Sequence, residues 1–140
     1  MAEAEHGGGV KATLEKAPIE DLFALADAAR YRRRMDLARQ TLLAARRRFP
    51  GSARSLDAAF LLGRVEEESD NGLEKAVRWY NAYLARAPRG TYASEALGRK
   101  MILSNKIGGT ARAQPVAQEY LRRFPRGSYA GSARALRRPP

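Results

Sequence analysis

Cysteine is absent from the 140 residues, and histidine occurs once, as His6. Without a thiol the chain can form no disulfide, thiolate metal site or cysteine nucleophile. A single histidine beside Gly7-Gly8-Gly9 has no ordered partner for an acid–base pair or a zinc cluster. No apolar run approaches the roughly 18 residues of a membrane-spanning helix, so none is expected. A phosphate loop ending in Gly-Lys-Ser/Thr is also missing, which leaves Gly108-Gly-Thr110 as a weak anion signal. Glu66, Glu67, Glu68, Asp70 and Glu74 form the one dense acidic cluster. They lack the spaced oxygen ligands of a calcium loop and read as a solvated helix end. We therefore expect no enzyme, no cofactor and no metal site.

Acidic residues are scarce in the body of the chain. The net charge is +11, and residues 1–21 carry five acids and two lysines, whereas residues 22–140 carry 24 bases against 10 acids. Such a field attracts nucleic acid, anionic surfaces or acidic proteins. The first six residues are acidic where a signal peptide is basic, so no export signal is expected there. A cytoplasmic protein and the excised part of an exported one both fit. Residues 1–15 read as a disordered acidic leader or linker, because a polar stretch with three glycines has nothing to bury.

What is present is a repeat. Arg47-Arg-Phe-Pro-Gly-Ser52, Arg86-Ala-Pro-Arg-Gly-Thr91 and Arg123-Phe-Pro-Arg-Gly-Ser128 place prolines at 50, 88 and 125. Arginine suits the last turn of a helix, proline ends it, and glycine permits the turn. Ser52, Thr91 and Ser128 are then placed as N-caps of the next helix. Between these stops apolar residues recur at helical spacing, as in Leu22, Leu25, Ala26 and Ala29 and then Leu37, Ala38, Leu42 and Ala45. The expected domain spans 16–140, with helix pairs over about 18–50, 52–88 and 91–125 and a short helix over 128–138. Pro115 would cost roughly 3 kcal/mol inside a helix. The last repeat helix is therefore expected to start near Ala113, after an irregular, mobile loop from Gly108 to Arg112.

These units resemble tetratricopeptide repeats. Counting back from Pro50, the first unit offers Leu22, Leu25-Ala26, Ala29, Ala38, Leu42 and Ala45 in register. The second offers Phe60, Leu62-Gly63, Ala76, Tyr80 and Tyr83 with one inserted residue. The third keeps Leu97-Gly98, Ala113 and Tyr120 but has Ala117 where an aromatic is usual. The resemblance implies an all-α, right-handed α-solenoid of three helix pairs with a capping helix. The 37- to 38-residue period with Phe-Pro-x-Gly-Ser is similar to the envelope subgroup represented by the outer-membrane β-barrel assembly lipoprotein and the Tol-Pal cell division coordinator. Phe60-Leu-Leu-Gly-Arg64 and Glu95-Ala-Leu-Gly98 look like the repeat regions of FecR-type anti-sigma regulators. A periplasmic or cell-envelope setting is what those likenesses imply.

In such a stack the first helix of each pair lines a concave face. Registered on Ala26, Gly63 and Gly98, that face holds Phe23, Asp27, Arg30 and Tyr31; then Phe60, Arg64 and Glu67; then Tyr92, Glu95, Arg99, Ile102 and Leu103. About half are expected to be packing residues, since aromatics at helical spacing are more often core. The leading expectation is a protein-interaction scaffold that takes a peptide or partner helix, with Phe23, Tyr31, Phe60 and Tyr92 as anchors. Arg30, Arg64 and Arg99 would select acidic partners. The alternatives are an arginine-rich binder of nucleic acid or anionic surfaces, and a stack that associates with itself. Trp79 reads as packing against a neighbouring helix.

Overall fold

The structure is a computed structural model that describes residues 9–137, and among these it contains seven α-helices and no strand. In chain order they are α1 (Val10–Lys16), α2 (Ile19–Tyr31), α3 (Met35–Arg48), α4 (Ala53–Glu67), α5 (Leu73–Arg86), α6 (Ala93–Arg123) and α7 (Ala130–Arg137). From α2 onwards each helix packs on its neighbours in the chain, while α1 lies on α3 and α2 touches α4. The expected leader is therefore shorter than residues 1–15, because Val10–Lys16 is helical and Leu14 and Ala17 cover the first core. The expectations for His6, Gly7 and Gly8 lie outside the described residues.

Three successive cores follow the helical stripes. Leu22, Phe23, Ala26, Leu42, Ala45 and Leu62 join α2, α3 and α4. Phe60, Tyr80, Tyr83, Ala96 and Leu103 join α4, α5 and α6. Leu97, Met101, Val116, Tyr120 and Ala133 join the two halves of α6 to α7. Burying each large side chain stabilises by about 1.5–3 kcal/mol, and alanine between them lets helices approach closely. Trp79 is half-buried against the first two cores, beneath the Arg46 guanidinium at 5.2 Å from its ring.

The repeated Pro-Gly junctions are built in two ways. At the first, Ser52 caps α4 as expected, its hydroxyl accepting from the Arg54 N–H at 3.1 Å. At the second and third, Thr91 and Ser128 do not cap. A buried tyrosine one turn before the end of the preceding helix takes over: the Tyr83 hydroxyl accepts from Tyr92 N–H at 2.9 Å, and the Tyr120 hydroxyl from Tyr129 N–H at 3.0 Å. The glycines of these loops make room for that hydroxyl, since a Cβ on Gly90 would lie 2.3 Å from the Tyr83 oxygen and one on Gly127 would lie 2.1 Å from that of Tyr120. The first unit has Ala45 at the corresponding position, and a Cβ on Gly51 would meet nothing within 4 Å.

Residues 108–112 hold a one-residue break at Gly109 between two helical halves, not the irregular loop expected from Pro115. Gly109 alone leaves helical geometry, with φ 71° and ψ −167°, a conformation that glycine adopts without a Cβ penalty. One residue thus separates the two halves of α6. Pro115 and Ala111, whose carbonyl loses its helical partner, both lie on the exposed side of this half of the helix. Arg112 fixes the new turn by a two-pronged pair with Glu74 of α5, at 2.7 and 2.9 Å.

Candidate binding face

The end of α4 organises the face that α2, α4 and the first half of α6 share. Three consecutive carboxylates there step around the helix by about 100° each, and they reach different neighbours. Glu66, 4% exposed, accepts two hydrogen bonds from Arg39 of α3, at 2.9 and 3.1 Å. Glu67 accepts from Arg99 of α6 and from the Tyr80 hydroxyl of α5. Glu68 accepts from Arg30 of α2 at 2.7 Å and from Arg33 at 3.2 Å. Carboxylates at a helix C-terminus oppose its dipole, and these arginines offset that cost. Glu66, Glu67 and Glu68 are therefore a structural junction and not a solvated helix end, whereas Asp70 of the same cluster is exposed. Among the described residues no group of acids, histidines or cysteines is arranged to hold a metal ion.

The protonation of these groups follows from the pairing. The hydrogen bond to Glu67 holds the Arg99 guanidinium above its ordinary value, and the bond to Glu66 does the same for Arg39. Burial pushes the Tyr80 phenol well above the usual tyrosine range, and its bond to Glu67 adds to the rise.

An aromatic ring sits on each of the two glycines of this face. A Cβ on Gly63 would lie 2.4 Å from the Tyr80 ring, and one on Gly98 would lie 2.2 Å from that of Tyr129. In the third unit, where Ala117 replaces the usual aromatic, the ring thus comes from the start of α7. Its hydroxyl donates to Glu95 at 2.5 Å.

The residues expected to face a partner divide accordingly. Phe23, Phe60 and Leu103 are buried, at 4%, 3% and 1% exposure, and cannot serve as surface anchors. Arg54 closes over Phe23 at 3.9 Å from its ring. Tyr92, half-buried, stacks on Phe60 with ring centroids 4.4 Å apart. Ile102 rests on the third core. Arg30, Glu67, Glu95 and Arg99 remain on the face, but each is engaged within the protein. Asp27 and Tyr31 are exposed, Tyr31 to 88%, and with Arg30, Arg33 and Glu68 they line a hollow of about 510 Å³. Arg64 is half-exposed and has no ion pair among the described residues.

Arg33 and Tyr129 support this face and were not among the residues expected there, and Glu68 and the buried Tyr80 were read in other roles, as part of the acidic cluster and of the repeat pattern. Tyr129 carried a signal, since it follows Tyr92 by 37 residues, the spacing that also separates Tyr83 from Tyr120 and Gly90 from Gly127. Among the described residues no helix is long and apolar enough to cross a membrane. Neither a protein-family model nor a curated protein matches the sequence.

Proposed function

We propose that the chain is a non-catalytic interaction module, a right-handed stack of three tetratricopeptide-like helix pairs with α7 as its cap, that holds an extended acidic peptide across the face of α2, α4 and α6. The observation that carries this reading is the state of the charges on that face. Glu67 is paired with Arg99 and Glu68 with Arg30 and Arg33, and Glu95 accepts from the Tyr129 hydroxyl, while Arg64 carries no ion pair among the described residues. A peptide carboxylate would gain a charge-assisted hydrogen bond from Arg64 without breaking an internal one. The exposed Tyr31 ring, one helix away, offers an apolar contact at low entropic cost.

Selection from a displayed random-peptide library tests this. The protein should enrich peptides with a carboxylate, and Arg64→Glu should abolish their binding while leaving the circular dichroism spectrum intact. Enrichment of the same peptides by the Arg64→Glu variant would sink the proposal.

A further inference from the structure

A separate group of arginines lies on a different part of the molecule, around the second and third Pro-Gly junctions. Arg123 donates to the Pro88 carbonyl at 2.5 Å and so holds the third junction against the second. Arg134 of α7 donates to the Pro125 carbonyl at 3.2 Å, bringing α7 alongside. Between the two junctions lies a hollow of about 430 Å³ walled by Pro88, Arg89, Gly90, Arg123 and Phe124. Arg89 lines it, and Arg86, Arg122 and Arg126 lie within two residues of its lining in the chain; all four are exposed and without an ion pair among the described residues. Glu119 is the one acid paired there, and Arg123 holds it at 2.9 Å.

Arg89 and Arg126 hold the same place in two junctions that touch, and Arg86 and Arg122 end the helices before them; unpaired guanidinium groups repeated from unit to unit suit a polyanion that offers one phosphate after another. A bilayer is less well suited. Among the described residues the large exposed hydrophobic side chains are Tyr31 and Leu43, and neither lies at these junctions. The geometry points to these junctions as a binding site for the phosphate backbone of a nucleic acid, read without regard to sequence. The site is independent of the peptide face, so each stands or falls separately.

Fluorescence anisotropy with a labelled 20-base-pair duplex tests the assignment. Neutralising four phosphates gives a slope of roughly −4 in log affinity against log salt. Replacing Arg86, Arg89, Arg122 and Arg126 with glutamate should lower affinity at least roughly 100-fold at low salt and remove about one unit of slope per arginine. A control carrying Arg32→Glu, Arg34→Glu, Lys75→Glu and Lys106→Glu makes the same change in net charge away from these junctions and should retain most of the affinity. Equal loss in both variants would overturn the assignment, as would no binding at 50 mM salt. Competition at matched charge by polyglutamate or by phosphatidylserine vesicles would overturn the choice of nucleic acid.

Discussion

The first Pro-Gly junction and the two that follow it meet the same need, a partner for the free N–H at a helix start, with different chemistry. At the first, the loop supplies its own acceptor in Ser52. At the others the acceptor is the hydroxyl of a tyrosine buried in the preceding helix, so junction and core are one structure. A local cap can be changed without disturbing its surroundings. A tyrosine that fills the core and also caps the loop cannot, and it forces glycine at 90 and 127. The contrast explains why these superficially equal motifs should respond unequally to substitution.

The glycines offer the largest test. Gly90→Ala and Gly127→Ala should each destabilise by about 1–3 kcal/mol through overpacking against the tyrosine oxygen, whereas Gly51→Ala should change stability by less than about 0.5 kcal/mol. Urea unfolding of the three variants measures this, and equal effects would erase the contrast. Next come Tyr83→Phe and Tyr120→Phe, which strand a loop N–H at a cost of about 1–2 kcal/mol. Tyr120→Phe combined with Gly127→Ala should cost less than the sum of the two, because the deleted oxygen is the atom that the new methyl meets. Strict additivity would show that the close approach is not what requires glycine. Ser52→Ala should cost about 1 kcal/mol, the usual value of an N-cap.

The smallest effect is on alkaline stability. Burial is the main cause that raises the Tyr80, Tyr83 and Tyr129 phenols in the folded protein, and Glu67 and Glu95 add to it for Tyr80 and Tyr129. A raised folded value stabilises fully below the ordinary tyrosine value of about 10 and is lost as pH rises beyond it. Unfolding free energy should therefore fall between pH 9 and pH 11 as tyrosinate absorbance grows. Tyr80→Phe should flatten that fall.

The sequence made the periodic parts of this arrangement plain. Pro50, Pro88 and Pro125 mark the ends of α3, α5 and α6, and the apolar stripes of Leu22, Leu42, Leu62 and Leu97 do become core. The candidate face was less legible. Phe23 and Phe60 fall at helical spacing whether they point to a partner or to the next helix, and burial decides between the two. The roles of Glu66, Glu67 and Glu68 depend on arginines 27 to 38 positions away, beyond the reach of any local pattern. A clue existed in the placement of three acids at the wrong end of a helix dipole. Pro115 misled for a related reason: its cost depends on the surroundings of the carbonyl four residues earlier, and Ala111 lies on the exposed side of the helix.

Three adjacent carboxylates that face three directions also set the order in which the protein comes apart. A stack held only by neighbour contacts can shed an end and keep the remainder. Opening α4 instead strands Arg30, Arg39 and Arg99 at once and frees Tyr80. Amide exchange should accordingly advance from α1 and α7 inward, with α4 the last helix to open. A protease would trim the two ends long before it reached the centre.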